Sequence, residues 1–186
     1  VESGESAPAR AAAGDRAAFT ELVRETKAGL YRFIRRYVGD ADEAYDLLQD
    51  TYASAWLAIR RYDPGRSFDA WVRVIAINKC RDWSRRRQVR RILRGVADLS
   101  SPEALAVADE SADVERRSAE LDEARHLAIA VAALPANLKE PLLLTAVEGR
   151  SQAEAAAILG VTPKAVETRL ARARQKLATS LRFRAG

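Results

Sequence analysis

Two stretches of the chain put cations beside groups able to read a nucleic-acid base. Near the middle, Trp71, Asn78, Asp82 and Arg85 follow one another at spacings of seven, four and three residues, which brings them close to one stripe of a helix. An indole plane can stack on an unpaired base, an amide can bond a base edge, and the adjoining Arg85, Arg86 and Arg87 can hold phosphates. That combination suits single-stranded DNA, although taken singly Trp71 would as readily serve a core and Asn78 a solvated helix face. Near the C-terminus, Leu159-Gly160-Val161 joins two short helical patterns. Once Val166, Leu170, Ala173 and Leu177 face inward, the second pattern leaves Lys164, Glu167, Thr168, Ala171, Arg172 and Gln175 outside, as in a helix-turn-helix. Arg172 can donate two parallel bonds to the major-groove edge of guanine, and Glu167 can accept from a cytosine amine. Arg169, Arg174 and Lys176 are placed to neutralise phosphates, which adds affinity without sequence information.

Covalent chemistry has no comparable support. One Cys and one His cannot form an internal disulfide or a four-ligand zinc site, and both Cys80 and His126 fall on expected helices as packing or surface residues. With no phosphate-cradling Gly-rich loop and no metal-ligand cluster, no enzyme activity and no cofactor or metal is expected. The 31 basic and 26 acidic residues leave a net charge of +5, and its distribution says more than its size. Lys79 to Arg94 carries +7, Asp98 to Glu123 carries −7, and Lys164 to Arg184 carries +6. Two cationic blocks across an anionic segment suggest two polyanion-contacting modules on a tether, although either block alone would pass for a solvated helix face. Val1 to Ala18 has no apolar run of signal-peptide length, and no stretch is apolar for long enough to cross a bilayer. A cytosolic protein is the expectation.

The elements that must carry these residues are all helical. Phe19, Leu22, Val23, Leu30, Phe33, Ile34 and Tyr37 recur at spacings of three, four and seven up to a stop at Gly39-Asp40. A second helix, from about Asp42 to Arg60, turns Leu47, Leu48, Thr51, Tyr52 and Ala55 inward. Acidic residues crowd its N-terminal half, complementing the helix dipole. Tyr62-Asp63-Pro64-Gly65-Arg66 is a turn, and a third helix starting near Ser67 runs through Phe68, Trp71, Val72 and Ile75 into the arginines. In the C-terminal half, Leu134-Pro135 ends one helix and Leu138 to Glu148 makes another. Ser151 and Glu154 fit a capping box, and Thr162-Pro163 opens the last helix. The predicted fold is all-α, with two small helical domains joined by a flexible acidic linker. Its boundaries are a disordered tail over 1–14, a first domain over 15–95, the linker over 96–120 and a second domain over 121–186.

These residues carry a resemblance. The run from Ala44 to Tyr52, with Trp56, Tyr62 to Val72, Ile75 to Asn78, and Asp82 followed by Arg85-Arg86-Arg87, resembles region 2 of bacterial sigma factors. Glu148 to Ala156, Leu159-Gly160-Val161 and Val166 to Arg174 resemble region 4, and the lack of a domain between them resembles the extracytoplasmic-function group. The resemblance implies a promoter-specificity subunit of RNA polymerase. In it Asp46, Gln49 and Asp50 would dock on core polymerase. The loop with Tyr62, Arg66 and Phe68, then Trp71, Asn78, Asp82, Arg85, Arg86 and Arg87, would capture and melt the minus-10 element. Ser151, Lys164, Glu167, Thr168, Arg169, Ala171, Arg172, Arg174 and Lys176 would meet the minus-35 element as duplex. It also implies an anti-sigma factor as negative regulator, which could hold the chain at the inner membrane without inserting it. The alternative is a stand-alone helix-turn-helix regulator on duplex DNA, which leaves the Trp71 and Asn78 stripe without a task. An interaction protein without DNA contact would show little salt dependence of binding.

Overall fold

The computed structural model describes residues 6–95 and 124–182, and among these every regular element is helical. Helix α1 (Ala7–Ala12) precedes α2 (Arg16–Val38) and α3 (Ala41–Ala58), which tightens into a 3-10 turn at Ile59–Arg61. Helix α4 (Phe68–Gly95) completes the first half. The second half holds α5 (124–133), α6 (Ala136–Leu142) widening into a π-helical turn (Leu143–Val147), α7 (Gln152–Leu159) and α8 (Pro163–Arg182). The expected linker over 96–120 lies outside the described residues.

Local chemistry explains the boundaries. Asp15 accepts from the Ala17 and Ala18 amides and starts α2, while Asp40 accepts from Glu43 N and starts α3. Between them Gly39 adopts φ 85° and donates to Arg35 O, a left-handed C-cap that a Cβ would strain. On α2 the predicted apolar stripe faces inward: Phe19, Leu22, Leu30, Phe33, Ile34 and Tyr37 are buried. Leu47, Leu48, Thr51 and Ala55 of α3 meet it, and Phe68, Val72, Ala76, Ile77 and Cys80 of α4 close the bundle. Trp83 donates from Nε1 to Glu43, pinning the middle of α4 to the start of α3.

Two features depart from expectation. Residues 7–12 are a helix and not part of a disordered tail: α1 packs on α2 with Ala11 fully buried. Its alanines favour helix, and Arg10 ties it to the bundle through Glu21, 3.2 Å away. The helix expected over 138–148 starts earlier, at Ala136, and changes pitch. Pro141 inside it offers no amide and crowds the carbonyl four residues back, and the last turn relaxes to i→i−5 pairing, with Glu148 N donating to Leu143 O at 3.2 Å.

The two halves are packed together. The buried apolar residues of both form one continuous cluster, with the π-helical turn against α2 and α7 against α4. No helix among the described residues is long and apolar enough to cross a membrane.

Candidate nucleic-acid interface

The loop ahead of α4 is built on an aromatic stack. Tyr62 and Phe68 meet edge to face at 5.5 Å between centroids, Trp71 lies 5.0 Å from Tyr62 and 5.6 Å from Phe68, and Phe19 backs Phe68 at 5.9 Å. Tyr62 donates its hydroxyl to Arg66 O, closing the loop on itself, and burial raises that phenol's pKa. Asp63 accepts from Gly65 N at 2.9 Å and pairs with Arg66 at 3.5 Å. Sequence reasoning placed Tyr62 and Phe68 at the surface facing DNA. They are 4% and 5% exposed, so their rings form the floor of the loop and Arg66 its exposed rim. Trp71 is half-buried, one edge in the stack and one toward solvent.

Along α4 the predicted stripe is present. Asn78, Arg85, Arg86 and Arg87 are exposed, and Asp82 is half-buried. Asp82 is paired with Arg85, three residues on, and the Arg87 guanidinium sits 5.1 Å over the Trp83 ring. Arg86 therefore has the freest cation of the three, and Asn78 Oδ1 accepts a long bond of 3.4 Å from Arg81. Asp46, Gln49 and Asp50 lie on the exposed face of α3, beside Tyr45 at 50% exposure. Carboxylates here complement the helix N-terminus and remain available to a partner.

The second half forms the expected helix-turn-helix. Ser151 accepts from Glu154 N at 3.2 Å, and Glu154 accepts from Ser151 N at 2.8 Å, a complete capping box that starts α7. These bonds lower the Glu154 pKa. Ser151 is exposed but its hydroxyl is engaged in this cap. Gly160, at φ 66°, donates to Ala156 O and turns the chain. Thr162 Oγ1 then accepts from Ala165 N at 3.2 Å at the start of α8. Val166, Leu170 and Ala173 are buried. Lys164, Glu167, Thr168, Ala171, Arg172, Arg174 and Lys176 are exposed, with Arg169 half-buried. Glu167 is paired with Lys164 at 2.9 Å and Thr168 donates to Lys164 O, so Arg172 is the side chain on this face best placed for a base edge.

Sequence reasoning missed the contacts between the halves. Arg73, 5% exposed, is paired with Asp69 at 2.9 Å and with Glu148 of the second half, and Arg150 closes the ring by bonding Asp69. Burial pushes the Glu148 pKa up, against the pull of Arg73 and Arg150. Arg81 donates from Nε and Nη2 to the two oxygens of Glu140, at 2.7 and 2.6 Å. Lys139 donates to Tyr37 O at 3.2 Å and to Ala132 O at 2.5 Å, its Nζ stands 4.5 Å from the Tyr37 ring, and burial lowers its pKa to about 8. The Asp69–Arg73 spacing of four was the only local signal, and it names one partner of each pair without the other.

Comparison with known proteins places both halves. The family described as Sigma-70 region 2 matches residues 22–91, and Sigma-70, region 4 matches residues 127–177. RNA polymerase sigma factor CnrH of Cupriavidus metallidurans is 39% identical over 174 residues, 93% of this chain and 91% of that protein. ECF RNA polymerase sigma factor SigM of Mycobacterium tuberculosis is 31% identical, over 92% of this chain and 81% of its own length. The solved structure of CnrH in complex with the cytosolic domain of CnrY superposes with a TM-score of 0.67 at 34% identity, covering 95% of this chain and 96% of that one.

Proposed function

Since the chain belongs to the extracytoplasmic-function sigma factors, subunits that direct RNA polymerase to promoters, we propose that its exposed stripes divide that task. Helix α3 offers Asp46, Gln49 and Asp50 to core polymerase. The Tyr62–Phe68 loop and the Trp71, Asn78 and Arg86 side of α4 take the minus-10 element as single strands. Helix α8 reads the minus-35 element as duplex, with Arg172 on a base edge and Arg174 and Lys176 on phosphates. The observation that carries this reading is the coexistence, in one chain, of an exposed helix-turn-helix recognition face and a half-buried indole beside exposed arginines. A duplex-only regulator needs the first and has no use for the second.

Opening the promoter asks for no catalytic residue. Extruding a base costs about a few kcal/mol, which its capture in a pocket can offset. The aromatic floor of Tyr62 and Phe68 gives the loop a rigid seat for that base, with Trp71 as the neighbouring face. CnrH has been solved with the cytosolic domain of CnrY, which supports a protein regulator of the same kind for this chain: an anti-sigma factor that keeps it in the cytosol or, through its own anchor, at the inner membrane.

Run-off transcription with core polymerase and a randomised promoter pool tests the whole reading. Promoter-dependent transcripts enriched for two separated elements are expected. Their absence, with duplex binding retained, would favour the stand-alone regulator.

A further inference from the structure

The contacts between regions 2 and 4 are built mainly from charge. Glu140 is 1% exposed and takes both donors of Arg81, Arg73 is 5% exposed and bridges Asp69 to Glu148, and Lys139 is 4% exposed on the Tyr37 carbonyl. Replacing such pairs by apolar residues is often neutral or stabilising, so their worth lies as much in fixing one register as in strength. An interface of this kind is defined in geometry and can be exchanged for water and another partner when it opens.

What it leaves uncovered is equally informative. The side chains that meet region 4 (Asp69, Arg73, Arg81) and the stripe assigned to DNA (Trp71, Asn78, Arg85) point to sides of α4 roughly 140° apart, at ~100° per residue. Thr168 and Arg172 on α8, and Asp46 and Asp50 on α3, are also exposed. Docking therefore hides none of the three surfaces. A compact body of this size is roughly 40 Å across. Two promoter elements whose names place them about 25 base pairs apart are separated by ~85 Å of duplex, at ~3.4 Å per base pair. The chain length between residues 95 and 124 suffices to span the difference, at up to ~3.3–3.6 Å per residue if extended.

We propose that the ionic clasp formed by Asp69, Arg73, Glu148 and Arg150 together with Arg81 and Glu140 is an autoinhibitory latch that works by distance and not by occlusion. It keeps both DNA-reading surfaces open on one body that is too small to engage both elements, and promoter recognition requires it to part. The latch rests on the assignment of regions 2 and 4 to two separate elements.

A reversible staple tests it in the full chain. A Cβ placed on Gly39 would lie 3.4 Å from that of Ala132 in α5, within range of the spacing a disulfide needs. The variant is Gly39→Cys with Ala132→Cys in a Cys80→Ala background. Oxidation should close the staple in the free protein. The oxidised chain should then support at least roughly tenfold less promoter-directed transcript with core polymerase than after reduction, yet bind a short duplex bearing only the minus-35 element within about twofold of the reduced form, because a ligand with equal affinity for both states does not sense the latch. Failure of the staple to form, equal transcription when oxidised, or loss of duplex binding on oxidation would each overturn the proposal. Because a cysteine at Gly39 must adopt φ 85°, a second arm runs in parallel. Arg81→Glu in the stapling background should slow disulfide formation at least roughly fivefold, and Arg81→Glu with Glu140→Arg should recover it. An unchanged rate in the single variant would remove Arg81 and Glu140 from the latch. A wild-type chain that yields no promoter-directed transcript would instead refute the two-element assignment, leaving the staple chemistry to report on docking alone.

Discussion

Which partner of the Arg81–Glu140 pair is removed should matter more than the loss of the pair itself. Glu140 is 1% exposed and Arg81 is 40% exposed. Arg81→Ala strands a carboxylate that no solvent reaches, and breaking a buried pair this way costs about 3–5 kcal/mol. Glu140→Ala leaves a guanidinium with almost half its surface in water, free to rehydrate, and a cost of about 1–2 kcal/mol follows. For a chain of this length each kcal/mol shifts Tm by about 2–4 °C, so the two variants should differ by about 4–8 °C. The stranded carboxylate has one escape, undocking of region 4, so the cost of Arg81→Ala cannot exceed the free energy of docking. Urea denaturation followed by far-UV circular dichroism and by tryptophan fluorescence separates the cases: coincident curves mean global unfolding, and an early fluorescence step means undocking first. Arg81→Leu with Glu140→Leu should lie within about 1 kcal/mol of wild type. A Glu140→Ala variant as unstable as Arg81→Ala, or more so, would refute the reasoning from burial.

Arg172→Ala should relax specificity at a single base pair of the minus-35 element by about 1–3 kcal/mol, whereas Lys176→Ala should weaken binding uniformly and lower the salt slope by about 1; competition binding across promoter variants at several salt concentrations distinguishes them. Cys80 is fully buried and its thiol pKa is pushed up to about 12 by burial and by Glu140. Alkylation of the native chain at pH 8 should therefore run slower than that of a free thiol by a factor on the order of 10² or more, and mass spectrometry should show it accelerate wherever the two halves part. Glu154 is held below the ordinary glutamate range by its bonds to Ser151. The stabilisation this gives α7 is complete above the unfolded value near 4.5 and is lost as pH falls through the lowered one. Ser151→Ala should return the Glu154 titration, followed by NMR, to the ordinary range.

Much of the fold was legible because its signals are local. The stripe from Phe19 to Tyr37, the stops at Gly39 and Gly160, and the Ser151–Glu154 box each depend on residues within a turn or two of one another, and each occurs as read. Helix α1 was not legible. Six residues rich in alanine cannot sustain a helix alone, and only docking on α2 makes one. Aromatic roles were ambiguous for a related reason. Tyr62, Phe68 and Trp71 are equally suited to a stacked base and to a core, and the choice of floor or face was made by Phe19, some forty residues upstream.

By itself the sequence determined which helices form, where they stop and which faces carry charge, because propensity, capping and periodicity act over a few residues. It also determined the two recognition modules, since an exposed stripe on a single helix is read along that helix. Only the tertiary structure decided how the modules meet. Arg73 and Glu148 stand 75 residues apart in the chain, and Arg81 and Glu140 stand 59 apart. No local rule pairs one charge with another at that separation, because the energy that selects the partner exists only once burial has removed the water that would otherwise satisfy both.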